Sequence, residues 1–125
     1  MKVYIYIIIS VLFILMLCRC ESVVAPIEDG KAQVEILGMV DMVFDFELEQ
    51  IEVTSLVGHA LVIRISRWND GLNDWIPIVR KSYLGAYKTR LFKTPGGFEE
   101  GDFIRVEIWK EFHAYPPQCF YLGSD

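Results

Sequence analysis

The sequence predicts an all-β protein: a single antiparallel β-sandwich of about seven short strands behind an N-terminal export segment. Three observations carry that prediction. Apolar and polar residues alternate with period two over most of the chain after residue 31. Turn-forming residues punctuate the alternation at intervals of about ten positions. No segment shows the 3.6-residue apolar period of an amphipathic helix.

Each element follows from its own pattern. Ala32 to Leu37 opens the series. In D-M-V-F-D-F-E-L-E, Met42, Phe44, Phe46 and Leu48 take one face, and Val43, Asp45, Glu47 and Glu49 the other. The phase then slips near Gln50, and Ile51 and Val53 carry the apolar face, which predicts one strand with a β-bulge. Leu61, Ile63 and Ile65 share a face of the next strand, against Val62, Arg64 and Ser66. Trp75 to Lys81 is a short strand interrupted by Pro77, hence an edge. Ala86 to Thr94 sets Tyr87, Thr89 and Leu91 against Lys88, Arg90 and Phe92. Asp102 to Phe112 places Ile104, Val106 and Ile108 opposite Arg105 and Glu107, and Cys119 to Leu122 closes the set.

Residues 1–22 read as a signal. A lone Lys2 precedes an apolar run from Val3 to Leu17, ended by Arg19 and Glu21. The run has the length of a signal core and falls short of the roughly 20 residues of a membrane span. Small residues at Cys20 and Ser22 fit cleavage after Ser22. The segment also resembles a bacterial lipoprotein signal with Cys20 lipidated, although Arg19 stands where that signal carries a small residue. An uncleaved anchor is the third reading. Residues 23–31 are then a linker and 32–125 the domain. The expected location is outside the cytoplasm: extracellular, periplasmic or anchored at the outer membrane, with the membrane met only through a lipid on Cys20. Cys18 and Cys20 fall in or beside the signal, so the domain has no internal disulfide framework. Cys119 reads as a buried, inert thiol unless an unlipidated Cys20 bridges to it.

From Glu21 onward, without Lys2 and Arg19, ten basic residues face seventeen acidic ones. Nucleic acid is excluded as a partner on that balance, because its affinity comes from basic groups neutralising phosphates.

At superfamily level the pattern from Ala32 to Leu122 resembles the immunoglobulin-like and fibronectin type III sandwiches. F-E-E-G-D-F-I-R-V, Phe98 to Val106, is similar to the corner where those folds pass from their fifth strand to their sixth, except that Ile104 stands where a tyrosine corner has its hydroxyl. A C2-like or transthyretin-like sandwich fits the same alternation. The resemblance implies strands A, B, C, C′, E, F and G. It makes W-N-D-G-L-N-D-W, Trp68 to Trp75, the C–C′ connection, at the same end as the E–F loop.

That octet is the candidate site. Asn69, Asp70 and Gly71 are strong turn formers, so a plain hairpin with Trp68 and Trp75 paired across it is one reading. The functional reading exposes an indole. Trp68, Asn69, Asp70, Asn73, Asp74 and Trp75 would then offer a ring face with carboxylate and amide groups, suited to carbohydrate or to a protein ligand. The resemblance brings Asp70 and Asp74 near Glu99, Glu100 and Asp102, a carboxylate set that suits Ca²⁺. N-D-G-L-N-D nevertheless lacks the ligand spacing of a calcium loop, so no metal site and no cofactor is assigned. Tyr115, before Pro116 in A-Y-P-P-Q, is a further ligand-binding candidate on a rigid tip, where a cis bond is expected. The outward acids of strand B are expected to pair with the basic residues of strand E. His59, His113 and Cys119 show neither paired metal-ligand spacing nor an activated-thiol context, so no catalytic residue is assigned. The function expected is an exported, non-enzymatic binding module. The alternative is a structural component of an envelope complex acting by strand-edge pairing.

Overall fold

The computed structural model describes residues 23–123. The segment expected to act as an export signal, with the expected lipidation position Cys20, lies outside the described residues. No helix occurs among them. The strands are β1 (Val24–Ala25), β2 (Ile27–Glu28), β3 (Lys31–Ile36), β4 (Val40–Asp45), β5 (Gln50–Ser55), β6 (Leu61–Asn69), β7 (Asp74–Leu84), β8 (Thr89–Lys93), β9 (Phe103–Lys110), β10 (His113–Ala114) and β11 (Gln118–Leu122). They form two sheets. The front sheet runs β1-β11-β9-β6-β7, with β10 added to β9, and the back sheet runs β2-β3-β4-β5-β8. The described chain is therefore all-β and sandwich-like.

Period-two alternation explains the core directly. Met42, Phe44, Ile51 and Val53 of the back sheet and Ile63, Ile65, Ile104, Val106, Ile108 and Phe120 of the front sheet are buried. Their neighbours in sequence on β4, β5, β6, β9 and β11 point mostly away from it. Phe44 and Phe120 meet edge to face across the two sheets at 5.8 Å. Phe98, on the crossover from β8 to β9, adds a second edge contact to Phe44 at 5.4 Å.

Several expectations are revised. Among the described residues the strands number eleven, because the one strand expected across Gln50 is two and three short ones were missed. Residues 23–31, read as a linker, carry β1 and β2, and Ala25 is in the core. The phase slip near Gln50 is a turn and not a bulge. Asp45 turns its carboxylate back to accept hydrogen bonds from the Glu47 and Leu48 amides, at 3.1 and 3.0 Å. Glu49 then takes φ 50°, and the chain re-enters as β5 antiparallel to β4. Leu48 at the tip is exposed. An aspartate that bonds the backbone two and three residues ahead is a local turn device, and it outweighs the alternation running through it. Since Asp45 is 7% exposed, Asp45→Ala should leave two amides without their acceptor and destabilise by about 1–2 kcal/mol. A lower urea midpoint at unchanged slope would show this.

The strand holding Pro77 is an edge as expected, but a long one of 11 residues. The register of β6 against β7 shifts on both sides of Ile65, and Pro77 sits opposite Ser66 beside that shift. β5 and β8 are neighbours, but the acid–base pairs expected between them are not formed. Among the described residues the ion pairs are Arg64–Glu107, Arg67–Asp102 and Arg105–Glu107. Arg90 instead donates to the Tyr83 carbonyl and stacks over Phe92. Cys119 is half-buried, on β11 opposite Arg105, and not in the core.

Candidate ligand-binding site

The loop 70–73 closes the β6–β7 hairpin. Trp68 pairs with Trp75 and Asn69 with Asp74 across it. Asn69 Oδ1 accepts the Leu72 amide at 3.0 Å, and Asn73 adopts φ 51°. Asp74 Oδ1 accepts the Trp75 amide at 2.8 Å. Asn69, Asn73 and Asp74 thus build the turn. This is the hairpin reading, and it holds for those three side chains.

The two tryptophans and Asp70 do something further. Cross-strand partners share a face, and on that rule Trp68 and Trp75 lie on the outer side of the front sheet. Their rings meet edge to face at 5.4 Å. Trp75 also reaches Phe103 on β9, with centroids 5.7 Å apart. Strand β6 lies between β7 and β9, which makes a direct distance of about 10 Å between their backbones. The two rings therefore touch by leaning across β6, where Trp68 is the residue paired with Trp75. Phe103 continues to Tyr121 on β11 at 4.6 Å. A row of four aromatic rings therefore crosses the sheet, all half-buried.

Trp68, Asp70, Trp75, Gly101, Asp102, Phe103 and Tyr121 line one cavity of about 530 Å³. Gly101 takes φ 90°, and its amide donates to the Leu122 carbonyl, which fixes the crossover beside the rings. Asp70 Oδ1 accepts the indole N–H of Trp68 at 2.8 Å and so orients that ring. Asp102 Oδ2 caps the Glu99 amide at 2.7 Å and lies 3.8 Å from Arg67. The wall behind Trp75 is cationic: the Arg105 guanidinium stacks over the ring at 4.5 Å and is held by Glu107 at 3.3 Å. Glu107 also receives a two-point bond from Arg64, at 2.8 and 2.7 Å. Further along the same face Lys81 and Arg64 flank the Trp109 ring, at 4.4 and 5.5 Å. All three tryptophans of the chain stand on this outer face, and none is in the core.

Of the seven predicted ligand residues, Trp68, Asp70 and Trp75 line the cavity. Asn69, Asn73 and Asp74 serve the turn beside it. Tyr115 is elsewhere: its amide bonds to the Ile108 carbonyl, five residues along β9 from Phe103 and about 17 Å away. It packs partly against the core and against His113 at 4.8 Å. No described peptide bond is cis, so the expectation at Tyr115–Pro116 is corrected. The loops carrying Asp70 and Asp102 do meet at one end. Among the described residues, however, no three His, Cys, Asp or Glu side chains are arranged to hold a metal ion. Gly101, Phe103, Tyr121 and Arg105 were missed as site residues. Their signal was present: Phe103, Trp109 and Tyr121 are large aromatics on the phase that alternation assigns to solvent.

Comparison with protein-family models, with curated proteins and with solved structures gave no match.

Proposed function

We propose that the protein is an exported, non-enzymatic binding module of the cell surface or envelope that takes a carbohydrate ligand in the Trp68–Trp75 cavity. The observation that carries this is the row of four aromatic rings beside two carboxylates on a face open to solvent. A solvent-facing sheet seldom gathers large apolar rings unless they meet something. Rings offer the apolar face of a sugar a surface, and Asp70 and Asp102 offer acceptors for its hydroxyls. Part of the strand order supports the immunoglobulin-like reading: β5–β8 and β7–β6–β9–β11 match the neighbours B–E and C′–C–F–G, although the strand expected as B is two strands, β4 and β5.

Titration calorimetry of neutral and acidic oligosaccharides into the full chain tests the proposal. Binding should be abolished by Asp70→Ala with the far-ultraviolet spectrum unchanged, since Asp70 is exposed and its loss frees only the Trp68 ring. If no oligosaccharide binds, or if Asp70→Ala binds as the unaltered chain does, the carbohydrate reading fails.

A second reading, an assembly component acting by strand-edge pairing, is favoured by the position of β7 at the edge of the front sheet. Pro77 removes one edge donor, and the exposed Arg80 and Lys81 guard the rest, as edges protected from pairing commonly do. That weighs the balance toward the cavity.

A further inference from the structure

The charges around the aromatic row are of one sign. The residues lining the cavity include two carboxylates, Asp70 and Asp102, and no cationic side chain. Asp74, Glu99 and Glu100 stand exposed close to them in the chain. Two cations of the same face are committed elsewhere: Arg67 lies 3.8 Å from Asp102, and Arg105 3.3 Å from Glu107. Among the described residues no ion pair reaches Asp70, Asp74, Glu99 or Glu100. The field at the cavity is therefore negative. The rings add to it, because an aromatic face carries the negative end of the ring quadrupole and attracts cations, indole most strongly. The chain's own side chains show that preference on this face: Arg105 lies over Trp75, and Lys81 and Arg64 flank Trp109. Of the four rings in the row, only Trp75 receives a cation from the described chain. Trp68 instead gives its N–H to Asp70 at 2.8 Å, and a bond to an anion pushes electron density back into the indole.

We propose that the sugar taken by this cavity is an amino sugar with a free, protonated amine, its ammonium group held between the Asp70 carboxylate and the rings of the row. An ammonium brings three N–H donors, which carboxylate oxygens accept in short charge-assisted bonds, and a positive charge that the ring faces attract. The apolar face of the same sugar rests on the indoles. N-acetylation removes the charge and leaves Asp70 without a cation. A carboxylate or sulfate on the sugar sets a like charge against Asp70 and Asp102, which opposes binding. This inference rests on the carbohydrate reading of the cavity and specifies its substrate class.

The test is calorimetric titration of the full chain with a glucosamine trisaccharide and with its N-acetylated counterpart, at a pH where the free amines are protonated. The amine form should bind about tenfold more tightly, the size of one exposed ring contact and one exposed ion pair together. Raising the salt concentration should shrink that preference. Asp70→Asn keeps an oxygen for the Trp68 N–H and removes only the charge, so it should bring the two affinities close together. Asp70 is exposed, and the exchange leaves the core intact. Equal affinity for the two sugars, tighter binding of the acetylated one, or a preference that survives Asp70→Asn overturns the amine and leaves the carbohydrate reading standing. If neither trisaccharide binds, the amine is overturned, and the carbohydrate reading falls with it only where neutral and acidic oligosaccharides are silent too.

Discussion

Replacing Phe44 by alanine is expected to destabilise the domain by about 3–5 kcal/mol, the range for deleting a fully buried aromatic side chain. Phe44 is fully buried at the point where three parts of the chain meet. It belongs to β4 of the back sheet, touches Phe120 of the front sheet at 5.8 Å, and meets Phe98 of the crossover at 5.4 Å. Phe98 in turn meets Phe46 at 5.2 Å, so the cluster also pins the β4–β5 turn. The cavity left by the ring cannot collapse easily, because its walls come from two sheets whose backbones are fixed by their own ladders. A domain of this size commonly has only about 5–15 kcal/mol in all. A chemical-denaturation curve should therefore show a much lower midpoint, and Phe44→Leu should recover a large part of the loss. A midpoint within about 1 kcal/mol of the unaltered chain would mean that the two sheets do not depend on this contact.

The core was legible because the sheets are half-buried, and half-burial writes itself into sequence as alternation. Ile63 and Ile65, Ile104, Val106 and Ile108, and Met42 and Phe44 are buried where the pattern puts them. What alternation could not give was the turn at Asp45. The apolar phase continues through Phe46 to Leu48, and only the reach of one carboxylate to two amides turns the chain there. Such a bond is a matter of about 1 kcal/mol in a local geometry, invisible to periodicity. The short strands β1, β2 and β10 were missed for a related reason: two residues are too few for a period.

The candidate site was half legible. W-N-D-G-L-N-D-W drew attention through its tryptophans and carboxylates, and Trp68, Asp70 and Trp75 do line the cavity. Phe103 and Tyr121 belong to strands more than 25 positions later in the chain, and only the sheet order brings them alongside. Trp75 reaches Phe103 across β6, a contact that appears only once β7, β6 and β9 are known to be neighbours in that order. Tyr115 was drawn in by its prolines, but the hydrogen bond to Ile108 sets it at a different level of the sheet.

Trp75→Ala separates a structural ring from a functional one. The indole is half-buried on the outer face and contacts Trp68, Phe103 and Arg105, but no residue of the inter-sheet core is among its ring partners. Its removal is expected to cost about 1.5–4 kcal/mol of stability, from two aromatic contacts at about 0.5–1.5 kcal/mol each and one stacked cation at about 0.5–1 kcal/mol. Arg105 keeps its bond to Glu107, so no charge is stranded. Binding should suffer as well. Trp75 is at the centre of the aromatic row, and a central tryptophan anchor is commonly worth at least about 2 kcal/mol, or roughly a thirtyfold loss of affinity. Calorimetric titration beside a denaturation curve on the same variant reads both quantities. An intact fold with affinity lost assigns the ring to the ligand. A collapsed fold would make Trp75 a packing residue that happens to face outward, and unchanged affinity on an intact fold would take the ligand away from this cavity altogether.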